Sequence, residues 1–147
     1  MMTTHQLKKY LTPLILLITI ILSFSINETD AIRAHVRITN MLGQGTNAQI
    51  RCLSEHGGPD VPTQDVPFMG LYEFGFTPSI WGLTNYNCEF VFNGASHWFQ
   101  IYNEHRERNV CSSLCWWIIK VDGPCLIQKI DYVGVNNEDV DCKPWNN

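Results

Sequence analysis

The sequence has little charge of either sign and no concentration of basic residues. Of its 147 residues, 16% are charged, with 10 Lys and Arg against 14 Asp and Glu, and the formal net charge is −4 at pH 7. Nucleic-acid binding depends on clustered Lys and Arg that neutralise phosphates, so this composition argues against a nucleic-acid partner. With 45% hydrophobic and 12% aromatic residues, the chain can bury one compact core, which predicts a single folded domain.

Signatures of catalysis and of metal binding are missing as well. The sequence contains no G-x-S-x-G nucleophile elbow, and no D-x-[DN]-x-[DN]-G calcium loop accompanies its acidic residues. A zinc site made of Cys111, Cys115 and either His97 or His105 would lack a second cysteine pair. We therefore expect no catalytic residues, no metal, no cofactor and no enzyme activity.

One long apolar run is present, at residues 11–24, directly after Lys8 and Lys9. It is shorter than the roughly 18 residues that a membrane-spanning helix needs. A basic start, an apolar stretch and small residues behind it are typical of a signal peptide, which we place at residues 1–25, with cleavage after Ala31 as the alternative. The mature chain is then secreted and extracellular, without a membrane span, and residues 32–147 form its domain. Asn27, in an N-x-S/T sequon, is a candidate glycosylation site if cleavage follows Ser25.

Secretion turns the cysteines into a disulfide framework, because an oxidising compartment favours bridges. Six follow the signal peptide, and they allow about fifteen pairings: Cys52, Cys88, Cys111, Cys115, Cys125 and Cys142. If Cys111 and Cys115 both lay in extended chain, their Cα atoms would be about 13 Å apart, too far for a direct bridge. Each would then pair elsewhere, unless the residues between them turn tightly.

Alternation of apolar and polar residues with period two recurs along the chain, whereas no window shows the i, i+3, i+4, i+7 pattern of a helix. The alternation predicts strands at residues 35–39, 48–52, 72–76, 86–92, 98–102, 115–121 and 126–133. Short strands separated by turn signals predict an all-β fold, a small antiparallel β-sandwich or barrel. In a sandwich, the inward-facing core would comprise Ile38, Ile50, Phe74, Phe90, Phe99, Ile101, Trp117 and Ile119.

Several segments, in order, resemble the plant self-incompatibility S-protein family, the S-protein homologues. They are Val36-Arg37-Ile38-Thr39-Asn40, Ile50-Arg51-Cys52-x-Ser54, Phe74-x-Phe76, Cys88-x-Phe90, Phe99-x-Ile101-Tyr102, Cys111-x3-Cys115-x-Trp117 and Asp122-Gly123. The resemblance implies a small secreted β-sandwich with disulfides and no enzyme activity. Founding members are pistil ligands that stop self pollen.

The family's four cysteines map onto Cys52, Cys88, Cys111 and Cys115, while Cys125 and Cys142 depart from its pattern. We hypothesise that these two form an extra bridge that holds the C-terminal tail. A proline-rich segment at residues 57–62 also differs from the family's usual acidic loop, so partner specificity cannot be carried over.

Binding sites on such scaffolds usually lie in loops, and two loops are candidates. Residues 103–109 form a run of mixed charge whose long polar side chains we expect outside the core, which makes Glu104, His105, Arg106, Glu107 and Arg108 the candidate recognition loop. The second loop, residues 54–67, is long and rich in Gly and Pro. We expect a monomeric extracellular ligand that signals through an unidentified cell-surface receptor.

Two other functions also fit the sequence. Exposed aromatic residues such as Trp81, Trp98 or Trp116 would suit a carbohydrate-binding module. A disulfide-bridged scaffold would also suit a secreted defence protein or inhibitor.

Overall fold

The computed structural model describes residues 11, 13–20, 33–56, 58–107, 109–111, 113–128 and 140–146. The chain divides into two compact units, Met1–Ala31 and Ile32–Asn147. In the first unit, residues 13–20 are helical. No helix among the described residues is long and apolar enough to cross a membrane. The signal peptide and its cleavage stay a prediction, and Asn27 lies outside the described residues.

The second unit is a β-sandwich whose described residues form nine strands. The strands are β1 (Ala34–Asn40), β2 (Ala48–Ser54), β3 (Val61–Val66), β4 (Leu71–Phe76), β5 (Asn85–Phe92), β6 (Ala95–Asn103), β7 (Leu114–Lys120), β8 (Gly123–Ile127) and β9 (Val140–Cys142). One sheet has the order β4-β1-β7-β8-β9 and the other has the order β3-β2-β5-β6. The predicted all-β sandwich is therefore confirmed.

Among the described strands, the pairs are antiparallel with one exception, the parallel pair of β1 and β7. A parallel pair needs a long crossover connection. Here the chain leaves β1, builds β2 and β3 in the second sheet, returns for β4, and passes through β5 and β6 before β7. Alternation along single strands carries no information on this order, so the purely antiparallel expectation is corrected at this pair.

The core lies between the inner faces of the two sheets, where every second strand residue points inward. The predicted core residues are all buried: Ile38, Ile50, Phe74, Phe90, Phe99, Ile101, Trp117 and Ile119. At one end of the sandwich the core is aromatic, with the Phe76 ring centroid 4.8 Å from that of Tyr86 and 4.7 Å from that of Tyr102. This aromatic end lies beneath the candidate site described below.

Among the described residues, two strands were missed by the sequence analysis, and the strand predicted at residues 126–133 lies instead at Gly123–Ile127 as β8, with residues 129–133 outside the described residues. β3 lies inside the loop predicted at residues 54–67, where alternation is weak because only Val66 is buried. It is an edge strand, a position that tolerates Pro62 because one side of the strand makes no ladder hydrogen bonds. The Tyr72 hydroxyl donates to the carbonyl oxygen of Pro62 at 3.0 Å, which links the edges of the two sheets, and burial raises the pKa of Tyr72 to about 12.

The second missed strand, β9, begins a C-terminal segment that closes the opposite edge of the sandwich. β9 pairs with β8, and the chain then crosses to the second sheet, where the amide of Asn146 donates to the Trp98 carbonyl at 3.2 Å. Between these points the Trp145 ring is buried, and its Nε1 donates to the Val121 carbonyl at 2.9 Å. We call residues 140–146 the C-terminal strap.

All six cysteines are paired. Cys52 and Cys88 lie directly opposite each other on β2 and β5. Cys125 and Cys142 do so on β8 and β9, which places the hypothesised extra bridge at the start of the strap.

Cys111 pairs with Cys115, with Cα atoms 5.0 Å apart. Cys115 lies in β7 but Cys111 does not lie in a strand. The alternative left open, a direct bridge between Cys111 and Cys115, is therefore the one the structure contains.

Candidate recognition surface

Residues 103–107 of the charged segment fold as a capped helical turn. Asn103 Oδ1 accepts hydrogen bonds from the amides of His105 and Arg106, at 3.1 and 3.3 Å, as an N-cap residue does. The backbone amide of Asn103 donates to Glu107 Oε2 at 2.6 Å. These bonds define a short helix, Glu104–Glu107.

Two of the candidate recognition residues are buried, which corrects the expectation that this loop's polar side chains lie outside the core. Glu104 is 3% exposed and Glu107 is 1% exposed. Burying a carboxylate is costly unless hydrogen bonds replace its water. Glu107 receives such bonds from the Asn103 amide and from Arg106 Nε. Burial raises the pKa of Glu107, and these hydrogen bonds offset part of that effect.

Arg106 is exposed but engaged with the fold. One of its terminal nitrogens donates to the Gln100 carbonyl at 2.6 Å, and its guanidinium carbon lies 5.7 Å from the Phe99 ring centroid and 5.8 Å from that of Trp117. His105 is exposed, and Arg108 lies outside the described residues. In its described part, the charged loop supports the sandwich through Glu104, Glu107 and Arg106 and leaves His105 exposed; its contact with a partner stays a prediction.

The three tryptophans considered for sugar stacking differ in how free their rings are. The guanidinium of Arg51 lies 5.6 Å from the Trp98 ring centroid, and that of Arg37 lies 5.3 Å from the Trp116 centroid. Both arginines are held there by glutamates, Glu89 at 2.5 Å and Glu73 at 2.7 Å. The ring faces on these two strands are thus partly covered by arginine. Trp81, in contrast, is 76% exposed.

Trp81 belongs to an apolar turn between β4 and β5, formed by Ile80, Trp81 and Leu83. Ile80 is 87% exposed and Leu83 is 49% exposed. Exposed large apolar side chains that are contiguous, rather than scattered, mark interaction sites. We call these three residues the apolar turn.

Hydrogen bonds fix the backbone of the apolar turn. The Gly82 amide donates to the Ser79 carbonyl at 3.1 Å, and the Trp81 amide donates to Ser79 Oγ at 3.1 Å. The Ser79 amide in turn donates to Thr84 Oγ1 at 2.7 Å. Gly82 has a φ of 71°, a left-handed conformation that glycine adopts without strain. The apolar side chains are therefore displayed from an ordered backbone.

The turn is anchored to the short helix through Thr84 and Glu104. The Thr84 amide donates to Glu104 Oε2 at 3.1 Å, and the Glu104 amide donates to the Thr84 carbonyl at 3.0 Å. Glu104 therefore has a positioning role for the apolar turn, although the sequence analysis placed it in direct contact with a partner.

Beside the apolar turn lies an open cleft of about 860 Å³, which we call the end cleft. It occupies the end of the sandwich where β1 begins, β4 ends and β5 begins, and its walls include Arg33, His35, His56, Thr84 and Tyr86. Close packing shapes its floor: a Cβ placed on Gly75 would lie 2.9 Å from His35 Cε1, and one on Gly58 would lie 2.5 Å from the Tyr86 hydroxyl oxygen. The glycines allow these polar rings to lie against the backbone.

Hydroxyl groups at the cleft accept hydrogen bonds from backbone amides. Ser54 Oγ accepts from the Gly58 amide at 3.0 Å, and Ser79 and Thr84 fix the apolar turn as described. Among the described residues, no group of three or more His, Cys, Asp or Glu side chains is placed to hold a metal ion. The geometry of this end of the sandwich suits binding, with an apolar projection beside a polar recess.

The sequence analysis missed the apolar turn as a site, although it named Trp81 as a possible sugar-stacking residue. A signal was available. The segment between Pro78 and the start of β5 shows no alternating pattern and contains Ile80, Trp81 and Leu83. No predicted strand would therefore bury these three side chains. Three large apolar residues in a segment with no assigned strand or helix are candidates for an exposed patch.

Comparison with known proteins shows the family to which the chain is similar. The sequence profile described as plant self-incompatibility protein S1 matches residues 35–145. The chain belongs to this family. S-protein homolog 5 of Arabidopsis thaliana is 34% identical over 110 residues, which are 75% of this chain and 76% of that protein. S-protein homolog 4 of the same plant is 33% identical over 106 residues, 69% of this chain and 68% of that protein.

The fold of this S1-family chain is shared with a solved structure. That structure is described as an SPH (Self-Incompatibility Protein Homologue) protein, from a widespread family of small, highly stable, secreted plant proteins. The likeness has a TM-score of 0.54 at 19% identity and covers 80% of this chain and 98% of the other. The resemblance inferred from the sequence is therefore confirmed at the level of family and fold.

Proposed function

We propose that this S1-family protein is a secreted extracellular ligand that acts by binding a cell-surface partner and has no catalytic activity. Secretion is supported by the basic and apolar N-terminal sequence, and by the solved relative described as a secreted plant protein. Three disulfides suit a small domain outside the cell. The proposal concerns recognition of the self-incompatibility type without assigning a role in pollen rejection.

The exposed, backbone-fixed apolar turn is the observation that carries this proposal. Tryptophan is enriched among residues that dominate binding energy, because it contributes a large contact area with few rotatable bonds. A fixed backbone lowers the conformational entropy lost on binding. Ile80, Trp81 and Leu83 together therefore offer an anchor for a partner.

Binding of the mature, oxidised chain to intact plant cells tests this function. A terminal label allows a saturation curve, with reduced and alkylated protein as the control for the fold. We expect saturable binding that falls on the order of tenfold or more for Trp81→Ala, the scale of a hot-spot residue. Met69 is 68% exposed and follows β3 at the other end of β4, so Met69→Ala is a matched control that should bind like the parent.

Two results would contradict the proposal. The first is cell binding that the Trp81 and Met69 variants share equally with the parent, which would remove the apolar turn as the anchor. The second is absence of cell binding together with retention on a glycan array, which would favour a carbohydrate-binding module instead. Carbohydrate binding is tested because the exposed ring of Trp81 could stack on a sugar.

A further inference from the structure

The end cleft is lined by basic residues on a protein whose net charge is negative. The chain has a formal net charge of −4, yet the ionisable side chains that line the cleft include Arg33, His35 and His56. None of the described residues that line it is Asp or Glu. Arg33 gives this recess a positive charge on a chain of net negative charge, and such a recess attracts and orients a ligand of the opposite charge.

Two acidic side chains near this cleft, Glu73 and Asp60, make contacts within the protein, and the charge of Asp60 also acts on Tyr86 in the cleft wall. Glu73 Oε1 lies 4.0 Å from His35 Nδ1, but the same carboxylate holds Arg37 through its other oxygen at 2.7 Å. Asp60 Oδ1 accepts a hydrogen bond from the Ser54 amide at 3.0 Å. Arg33 and His56 are exposed, which leaves them able to meet a carboxylate from another molecule.

We propose that the end cleft binds an acidic peptide segment of the partner that also carries a large apolar side chain. This inference rests on the proposed function and names the partner chemistry of the same surface. A carboxylate would pair with Arg33, which can hold it through two parallel hydrogen bonds, and would accept a hydrogen bond from a ring N–H of His56. The apolar side chain would pack against Ile80, Trp81 and Leu83.

The end cleft and the apolar turn together discriminate between classes of ligand. An acidic polysaccharide would satisfy the cationic side chains but would leave Ile80 and Leu83 without apolar contact. A purely apolar peptide would leave the cationic recess unused. A cleft of about 860 Å³ lies within the usual range of ligand pockets, and it accommodates a short segment rather than a folded domain.

Peptide selection by the immobilised mature protein tests the inference directly. The probes are two synthetic hexapeptide libraries with the same apolar positions, one with Asp and Glu at the remaining positions and one with Asn and Gln. We expect preferential retention of the acidic library, reduced by added salt. Equal retention of the two libraries, or retention of neither, overturns the proposal, and retention of oligogalacturonate in place of peptide assigns the cleft to acidic polysaccharide.

A charge-reversal pair locates the binding. Arg33→Glu should weaken binding of the selected acidic peptides on the order of tenfold. Lys120 is exposed at the end of β7 that lies away from the cleft, so Lys120→Glu makes the same change in charge and should leave binding unchanged. Equal weakening by the two variants would show an effect of net charge alone and would overturn the site.

The cell-binding assay separates this inference from the function on which it rests. If Trp81→Ala abolishes cell binding while Arg33→Glu has no effect, the recognition function stands and the acidic-peptide site fails. If neither variant changes a saturable cell binding, this end of the sandwich is not the surface that binds; if the parent chain itself shows no saturable binding, the proposed function fails as well.

Discussion

Thr84 and Glu104 hold each other through two backbone-directed hydrogen bonds, one from the Thr84 amide to Glu104 Oε2 at 3.1 Å and one from the Glu104 amide to the Thr84 carbonyl at 3.0 Å. Through this contact a buried carboxylate fixes one end of the apolar turn. The charged loop and the apolar turn are thus parts of one structural unit at the end of the sandwich.

Removing the Glu104 carboxylate should loosen the apolar turn. In Glu104→Ala the buried Thr84 amide loses its acceptor, which costs about 1–3 kcal/mol of stability. Hydrogen exchange at the amides of Trp81 and Gly82 should become faster, since their turn is no longer anchored. Glu104→Gln keeps a side-chain oxygen acceptor and serves as the control. Unchanged exchange in the alanine variant would mean that the Ser79 hydrogen bonds alone hold the turn.

The two tryptophans at positions 145 and 81 should differ sharply in their effect on stability. Trp145 is buried, with its ring centroid 5.1 Å from Phe90 and 5.9 Å from Phe92, and it fixes the C-terminal strap. Trp145→Ala should lower the free energy of unfolding by about 3–5 kcal/mol. Trp81→Ala removes the same side chain from the surface and should change it by no more than about 0.5 kcal/mol. Urea unfolding curves of the two variants measure this difference.

The disulfides should contribute according to the length of chain that each one closes. Cys52 and Cys88 are separated by 36 residues in sequence, Cys125 and Cys142 by 17, and Cys111 and Cys115 by 4. A bridge over a longer loop removes more conformational entropy from the unfolded chain. Paired Cys→Ser substitutions should therefore cost about 4, 3 and 2 kcal/mol in that order. A larger loss for the shortest loop would show that local folding around Cys111 outweighs the entropy of the unfolded chain.

Alternation was a sound basis for predicting most strands and the core, because the hydrophobic effect acts on each strand residue separately. Ile38 and Trp117 each have buried residues two positions before and two positions after them in their strand. Alternation therefore predicted their burial without knowledge of the partner strand. The parallel pairing of β1 with β7, in contrast, could be predicted only with knowledge of the partner strand. The edge strand β3 was missed since an edge strand with one buried residue leaves little pattern in the sequence.

The candidate site was harder to predict, for a different physical reason. Charge alone suggested that Glu104 and Glu107 were exposed, but their burial depends on hydrogen bonds from Thr84 and Asn103 that only the folded chain brings near. Asn40 is another polar residue whose burial depends on hydrogen bonds formed in the folded chain. This residue of the family motif is fully buried, and its amide group donates to the Thr46 and Val66 carbonyls at 2.9 and 2.8 Å, so it serves the fold.

The titrations of Glu107 and Glu89 should change stability with pH in opposite directions. Burial raises the pKa of Glu107, so its contribution is fully present below its unfolded pKa and is lost as the pH rises through the folded value. Hydrogen bonds from Ser96 and Arg51 lower the pKa of Glu89, so its contribution is present above its unfolded pKa and is lost as the pH falls through the folded value.

Glutamine variants isolate the two effects, because each removes one titration and keeps a similar shape. Relative to the parent, Glu107→Gln should become more stable as the pH rises from about 3 to about 8, whereas Glu89→Gln should become less stable over the same interval. Urea unfolding at a series of pH values measures both differences. If the Glu107→Gln difference did not depend on pH, the hydrogen bonds from Arg106 and the Asn103 amide would fully offset the burial of this carboxylate, and Glu107 would be as well solvated by the protein as by water.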